Sequence, residues 1–244
     1  MKYNFIDKGK GRPIIMLHGI FGHASNWKDI IEPLSKGYRT LALELPYLEL
    51  KKDDCNIAYL SEYVSKFADS HGFNKAIYMG NSLGGHIALD IATRDHERVE
   101  ALILTGSSGL FERGYENDLQ IHPTKTYLYK KIGEIFFDKS HVTEELIDDV
   151  YNILLNRKNK INIIRLSKSA KSYNIKDQLK FVDCPTILIW GKQDPITPPS
   201  AALEFEQSIK KAELKFIDNC CHAPMIEHPG KFGKLALEFL STRL

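Results

Sequence analysis

The sequence predicts an α/β fold with a mostly parallel, doubly wound sheet and helices on both of its faces. Short apolar runs recur along the chain, and amphipathic stretches separate them. Strands of parallel sheets are buried on both faces and have this continuous apolar character. The chain has 244 residues, 43% of them hydrophobic, which is enough for one sizeable core.

Six apolar runs identify the strands in chain order. They are PIIMLHG, YRTLALEL, KAIYMGNS, VEALILTG, TILIWGK and LKFIDNC. Each is too short and too continuously apolar for a surface helix, so we expect each to be a strand buried on both faces. Their alternation with helices predicts parallel pairing.

Apolar residues at helical spacing predict helices after several of these strands. Two of the stripes are Leu83, Ile87, Ala88 and Ile91, and, in the C-terminal segment from Pro229, Leu235, Leu237, Phe239 and Leu240.

The stretch between Gly106 and Pro185 breaks the alternation, because it contains no convincing buried strand. We predict a core formed by residues 1–108 and 182–244, interrupted by a helical cap at 109–181. A structured insertion of this length is typical of a lid over a site. The residues at helical spacing in it are Leu146, Ile147, Val150, Tyr151, Leu154 and Leu155.

Two groups of side chains stand out in the predicted cap. The basic group either meets an acidic leaving group or forms a solvated face, and the second interpretation is the commoner one for a charge run. It comprises Arg157, Lys158, Lys160, Arg165, Lys168 and Lys171. The aromatic group is expected to pack in the cap core. It comprises Tyr115, Tyr127, Tyr129, Phe136 and Phe137.

Charge and composition argue against several classes of protein. The formal net charge is +2, from 33 basic and 31 acidic side chains, so no strong field favours nucleic acid or an anionic membrane. The N-terminus MKYNFIDKGKGRP lacks an apolar signal core, and no stretch is long and apolar enough to span a bilayer. We therefore expect a cytoplasmic protein. The cysteines have neither zinc-site nor disulfide spacing and are expected to be free thiols. They are Cys55, Cys184, Cys220 and Cys221.

The segment YMGNSLGGHIAL contains a G-x-S-x-G motif centred on Ser82. At a sharp turn from strand to helix, glycines two positions away on either side allow the two backbones to approach closely. The serine hydroxyl is then exposed at the carboxyl edge of the sheet. The amide of Leu83 belongs to a helix N-terminus, which favours developing negative charge.

A serine nucleophile needs a base, and the base needs an acid to orient it. Asp194 follows the strand TILIWG, and His222 follows the strand LKFIDNC. The chain order Ser, Asp, His is the one expected when all three side chains leave the same sheet edge. Asp218, four residues before His222, is a rival for the acid.

The loop after the first predicted strand reads LHGIFG. Its backbone is expected to supply a second donor to an oxyanion, from the amide of Ile20 or of the neighbouring Phe21. For His18 we expect a structural role, in which the side chain fixes the loop by hydrogen bonds.

Together, HGIFG, GNSLGG, WGKQD and CHAP resemble the α/β-hydrolase fold family, in the group with a helical cap between the sixth and seventh strands. The resemblance implies that Ser82 is the nucleophile, His222 the base and Asp194 the acid that orients it. It also implies an oxyanion hole formed by the amides of Ile20 and Leu83. The serine excludes the dehalogenase and epoxide hydrolase branches, which use aspartate at this position.

The same residues indicate a substrate class. GNSLGG is similar to the carbon–carbon bond hydrolases of ring-cleavage products, but Ala223 and Pro224 follow His222 where that group typically has tryptophan. We therefore expect a carboxylesterase-like serine hydrolase of small esters that works through an acyl-enzyme and requires neither metal nor organic cofactor. The alternatives are a carbon–carbon bond hydrolase and a low-turnover receptor on the same fold. The oligomeric state is left open.

Overall fold

The core of the protein is a single mixed sheet in a computed structural model that describes residues 2–111 and 123–244. Within these residues the sheet has seven strands. They are β1 (Phe5–Lys8), β2 (Pro13–Leu17), β3 (Arg39–Leu43), β4 (Ala76–Asn81), β5 (Val99–Thr105), β6 (Thr186–Gly191) and β7 (Ala212–Ile217).

The strand order is β1-β3-β2-β4-β5-β6-β7. β1 pairs with β3 in antiparallel fashion, and the remaining neighbours are parallel. This confirms the predicted mostly parallel sheet. The first five apolar runs each contain one of the strands β2 to β6, and the sixth, LKFIDNC, overlaps β7, which begins two residues earlier at Ala212. The sequence pattern did not reveal β1, whose residues FIDK lie half-exposed or exposed at the edge of the sheet.

Burial along the strands follows their place in the sheet. β4 and β6 are buried along their whole length, which requires cover on both faces of the sheet. The prediction of burial on both faces is wrong for β7, where only Ile217 is buried. β7 is the last strand of the sheet, so among the described residues one of its edges has no neighbouring strand.

Helices flank the sheet, with α2 packed against α3 and α1 against α9. In the described residues the helices are α1 (Lys28–Leu34), α2 (Ile57–Ser70), α3 (Leu83–Arg94), α4 (Lys125–Gly133), α5 (Glu144–Leu155), α6 (Arg157–Ser172), α7 (Pro199–Ser208), α8 (Pro224–Glu227) and α9 (Pro229–Arg243). None of them is long and apolar enough to cross a bilayer.

Helices α4, α5 and α6 lie between β5 and β6, within the predicted insertion. In this seven-stranded sheet the insertion therefore follows the fifth strand along the chain rather than the sixth. Side-chain caps begin all three helices, because Thr124, Thr143 and Asn156 each accept a hydrogen bond from a backbone N–H of the first turn. The boundaries 109–181 remain a prediction.

The predicted aromatic core of the insertion is only partly present. Phe136 is buried, whereas Tyr129 and Phe137 are exposed, and Tyr115 lies outside the described residues. Aliphatic side chains at helical spacing fill the interior instead. The buried ones are Leu128, Ile132, Ile147, Val150, Leu154, Ile163 and Leu166.

Hydrogen bonds close the insertion at its ends and hold α6 against the core. Its two ends are bonded to each other, because the N–H of Ile175 donates to the Gly109 carbonyl at 2.9 Å and the Asn174 amide donates to the Leu110 carbonyl at 3.1 Å. On α6, the buried Asn162 donates to the Leu50 carbonyl at 3.0 Å. Helix α6 is thereby held against the loop that follows β3.

Candidate active site

Ser82 lies at the junction of β4 and α3 in a strained backbone conformation, with φ 52° and ψ −116°. A non-glycine residue in such a region costs on the order of 1–3 kcal/mol and persists only where its surroundings enforce it. Here the Ser82 N–H donates to the Thr105 carbonyl at 3.1 Å, and the Ser82 carbonyl accepts from the N–H groups of His86 and Ser108 at 3.1 and 3.2 Å. The end of β5 thus holds the serine in place.

The glycines of the motif are required by close backbone contacts. A Cβ on Gly80 would lie 2.5 Å from the carbonyl carbon of Gly84, and a Cβ on Gly84 would lie 2.1 Å from the Leu17 carbonyl oxygen. Neither contact is possible for a larger residue without backbone movement. The G-x-S-x-G pattern therefore reflects the packing of α3 on β4 and β2.

Asp194 and His222 come together from the loops after β6 and β7. The Nδ1 of His222 lies 2.9 Å from Oδ2 of Asp194, and both side chains are buried. The contact with a carboxylate identifies Nδ1 as the donor. The backbone N–H groups of Ile196 and Thr197 donate to Oδ1 of Asp194 at 2.8 and 3.1 Å, and the Thr197 hydroxyl donates to Oδ2 at 2.8 Å.

The rival acid, Asp218, lies elsewhere. Its side chain is 65% exposed and accepts a hydrogen bond from the Lys192 ammonium at 2.9 Å. That ammonium holds the pKa of Asp218 below its usual range. Of the two candidates, the structure brings only Asp194 to His222.

The loop after β2 passes close to the serine. A Cβ on Gly19 would lie 3.1 Å from Cβ of Ser82, and Phe21 adopts a positive φ of 62°. The buried His18 fixes this loop, with Nδ1 bonded to the Gly19 carbonyl at 2.8 Å and Nε2 accepting from the Leu45 N–H at 3.0 Å. Burial lowers the pKa of His18, which is consistent with a neutral ring.

A cavity of about 260 Å³ lies between the sheet edge and the insertion. Ser82 and His222 both line it, as do Ile20 and Phe21 from the loop after β2. Most of the remaining wall is apolar. It includes Leu128, Ile132, Ile135, Phe136, Leu146, Val150, Leu154, Ile196, Ala223, Met225 and Ile226.

The insertion also contributes ionisable side chains to the wall. Lys131, Glu134 and His141 line the cavity, and the Lys131 ammonium lies 3.4 Å from the Glu134 carboxylate. None of the six basic residues singled out in the predicted cap is among the described residues that form the wall. Lys158, for example, donates to the Glu49 carbonyl at 3.2 Å.

Asn81 is a contributor to the site that the sequence analysis missed. Its side-chain amide donates to the carbonyls of Thr105 and His222 at 3.1 and 3.0 Å. It therefore joins the serine turn to the histidine loop. Its position inside G-x-S-x-G was the available signal, but a variable motif position does not reveal a contact across 141 residues of chain.

Comparison of the sequence with known protein families agrees with this architecture. The profile described as alpha/beta hydrolase fold matches residues 12–126 and 144–229, which is most of the chain. The chain belongs to the α/β-hydrolase fold family.

Relatives of this hydrolase include curated enzymes and a solved structure. It is 30% identical to the 2-hydroxy-6-oxononadienedioate/2-hydroxy-6-oxononatrienedioate hydrolase of Klebsiella pneumoniae, over 99% of this chain and 91% of that protein. It is 28% identical to the 2-hydroxy-6-oxo-6-(2'-aminophenyl)hexa-2,4-dienoic acid hydrolase of Metapseudomonas resinovorans, over 98% and 87%. An alpha/beta hydrolase enzyme from a sediment metagenome of the Mar Chica lagoon has 34% identity and a TM-score of 0.82, covering 100% and 96% of the two chains.

Proposed function

We propose that this protein is a serine hydrolase in which Ser82 is the nucleophile, His222 the general base and Asp194 the residue that orients the imidazole. The observation that carries the proposal is the buried 2.9 Å contact between His222 and Asp194, on the wall of the cavity that also contains the strained Ser82. The backbone amides of Leu83 and Ile20 are the proposed oxyanion donors.

The proposed residues account for the proton and the charge at each step. His222 Nε2 accepts the Ser82 hydroxyl proton while Oγ attacks a carbonyl carbon, and Asp194 stabilises the imidazolium that forms. The amides at the N-terminus of α3 and after β2 stabilise the oxyanion. His222 then returns the proton to the leaving group, and water repeats the sequence on the acyl-enzyme.

For the substrate class we propose the carbon–carbon bond of a 2-hydroxy-6-oxo-dienoate. The names of the curated relatives support this class over the expected simple esters, because those enzymes are named for such compounds. In the keto tautomer, C5 has gained a proton and C2 carries a carbonyl. Attack at C6 then breaks the C5–C6 bond, and the released electron pair delocalises onto the C2 oxygen. Overall, water yields a carboxylic acid and a 2-hydroxydienoate.

Ester hydrolysis is the second candidate. It is favoured by the largely aliphatic cavity wall, and by the small Ala223 that lines the cavity directly after His222. Such a wall suits an uncharged acyl chain. The two reactions share the attack on a carbonyl carbon and differ in the leaving group.

One experiment separates the candidates. Purified wild type and Ser82→Ala are incubated with 2-hydroxy-6-oxo-6-phenylhexa-2,4-dienoate, followed by loss of its visible absorbance, and with p-nitrophenyl butyrate. We expect a higher kcat/KM for the dienoate, and loss of both activities in the variant. Turnover of the ester alone would contradict the proposed carbon–carbon bond cleavage and favour ester hydrolysis. Absence of both activities, together with no fluorophosphonate adduct on Ser82, would refute a serine hydrolase.

A further inference from the structure

The loop that carries His222 is bonded to the insertion as well as to the sheet. The N–H of His222 donates to the Ile135 carbonyl at 2.9 Å. Two residues further along the insertion, the N–H of Phe137 donates to Oε2 of Glu227 at 2.6 Å. The segment that follows α4 is therefore joined to the histidine loop at two points.

Glu227 closes this connection with its second oxygen. It is the last residue of α8, and its Oε1 accepts from the N–H of Cys221 at 2.7 Å. The Cys220 thiol lies 3.5 Å from the same oxygen. One carboxylate therefore takes backbone donors both from the insertion and from the residue next to His222.

The connected segments form adjoining parts of the cavity wall. Ile135 and Phe136 line the cavity from the insertion, and Ala223 and Met225 line it from the histidine loop. A displacement of the insertion at this point would alter the shape of the cavity. Through the backbone bond between His222 and Ile135, and through the bond from Phe137 to the Glu227 carboxylate, it would also move the peptide that carries the histidine.

We propose that Glu227 is a positioning residue that couples the insertion to the orientation of His222, an inference that rests on the proposed role of His222. A carboxylate suits this task because each oxygen forms a charge-assisted hydrogen bond with a separate N–H. Glutamine has the same size but only one acceptor atom, since its nitrogen can only donate. Glu227→Gln therefore breaks one side of the connection with minimal change of volume.

Glu206 offers a matched control in the same chain. Its Oε1 accepts from the N–H of Leu214 at 3.0 Å, which joins α7 to β7. Glu206→Gln also removes a carboxylate that accepts from backbone, but Glu206 is not among the described residues that line the cavity. This variant measures how far the loss of such a carboxylate slows the reaction when the carboxylate does not contact the histidine loop.

The test is the rate at which a fluorophosphonate labels Ser82 in the full-length wild type, Glu227→Gln and Glu206→Gln. We expect about a tenfold slower reaction in Glu227→Gln, the equivalent of one lost hydrogen bond to a charged group. Glu206→Gln should react at the wild-type rate. For p-nitrophenyl acetate, kcat should fall by the same factor with KM unchanged, because the small acetyl group does not depend on the cavity wall. In Glu227→Gln, hydrogen exchange should also accelerate at the amides of residues 135–137 and 220–222.

The outcomes keep this inference separate from the proposed function. Failure of the wild type to label at Ser82 would refute the proposed function itself. Equal labelling rates in wild type and Glu227→Gln would refute the coupling alone, as would an equal slowing in both glutamine variants. If Glu227→Gln does not fold, Glu227→Asp takes its place with the same expected slowing, because the shorter side chain keeps the charge but cannot span both donors.

Discussion

Asp194 and Asp218 follow neighbouring parallel strands, yet their surroundings differ in every respect that matters for chemistry. Asp194 is buried, and its oxygens accept from two backbone amides, a hydroxyl and an imidazole. Asp218 is exposed and is paired with the ammonium of Lys192. Position at the carboxyl edge of the sheet is therefore not sufficient to bring a carboxylate to His222. The loop must also enclose the carboxylate and supply its donors.

The largest effect is expected from neutralising the buried aspartate, Asp194. Asp194→Asn keeps the shape but removes the charge that stabilises an imidazolium at His222. We expect kcat to fall by about 10⁴, as in well-studied triads. Steady-state kinetics on the substrate turned over by wild type measures this, at matched circular dichroism.

The control for that prediction is Asp218→Asn, which should retain activity within about twofold, because an exposed ion pair contributes little. If Asp218→Asn loses more activity than Asp194→Asn, the proposed assignment of the acid is wrong.

A smaller effect is expected from the hydroxyl that supports Asp194. Thr197→Val removes the donor to Oδ2 but leaves the donating backbone amide in place. A hydrogen bond to a charged group is worth about 1.5–3 kcal/mol, so kcat should fall at least about tenfold. The matched change on the other aspartate is Lys192→Met, which should leave kcat unaltered. Equal kcat values in wild type and Thr197→Val would show that the backbone amides of Ile196 and Thr197 are sufficient to hold the Asp194 carboxylate in position.

The pH dependence of stability extends the comparison to His86, a buried histidine that forms no ion pair with a carboxylate among the described residues. His86 stacks on Tyr173, with ring centroids 5.5 Å apart, and burial lowers its pKa to about 4. Unfolding restores a value near 6.5. The folded state therefore resists protonation, and this contribution to stability is present above about pH 6.5 and is lost as the pH falls towards 4.

The shift in the pKa of His86 corresponds to a loss on the order of 3 kcal/mol over that interval. Urea unfolding at pH 7 and pH 4.5 measures the free energy of unfolding at each pH. The decrease should be smaller in His86→Gln, whose side chain does not titrate. An identical decrease in variant and wild type would assign the pH dependence to other groups, among them the buried His18.

The smallest expected effect concerns stability at the exposed aspartate. Lys192→Met removes a pair whose two side chains are 58% and 65% exposed. Such pairs are screened by water and salt, so the Tm should change by less than about 1 °C. Thermal unfolding at low and moderate salt checks this. A decrease in Tm that depends on the salt concentration would show that the pair of Asp218 and Lys192 contributes to stability despite its exposure.

The sequence revealed those features whose signals are local. Ser82 lies in a motif of five residues, and Asp194 and His222 lie in the loops that follow the strands β6 and β7. The parallel sheet followed from the apolar runs, because burial on both faces leaves a continuous apolar pattern. β1 escaped detection because it has four residues and an exposed edge, so its pairing with β3 depends on contacts that hydropathy does not encode.

The supporting side chains could not be predicted for a related reason. Asn81 and Glu227 act through hydrogen bonds to segments that are distant in the chain. Polar residues near strand and helix ends usually serve local caps or turns, and neither the motif around Asn81 nor the sequence around Glu227 indicates their distant partners. The folded geometry is needed to show which distant amides and carbonyls they meet.

The bond between the two ends of the insertion has a consequence for how such a protein diversifies. Because Ile175 donates to Gly109, the chain leaves the sheet and returns to it at nearly one point. The entropy of loop closure increases only slowly with the length of the excursion, so the sheet tolerates segments of very different size at this position. Between Gly109 and Ile175, the insertion can therefore lengthen or shorten without displacing the strand ends, as long as residues 135–137 keep their hydrogen bonds to the histidine loop.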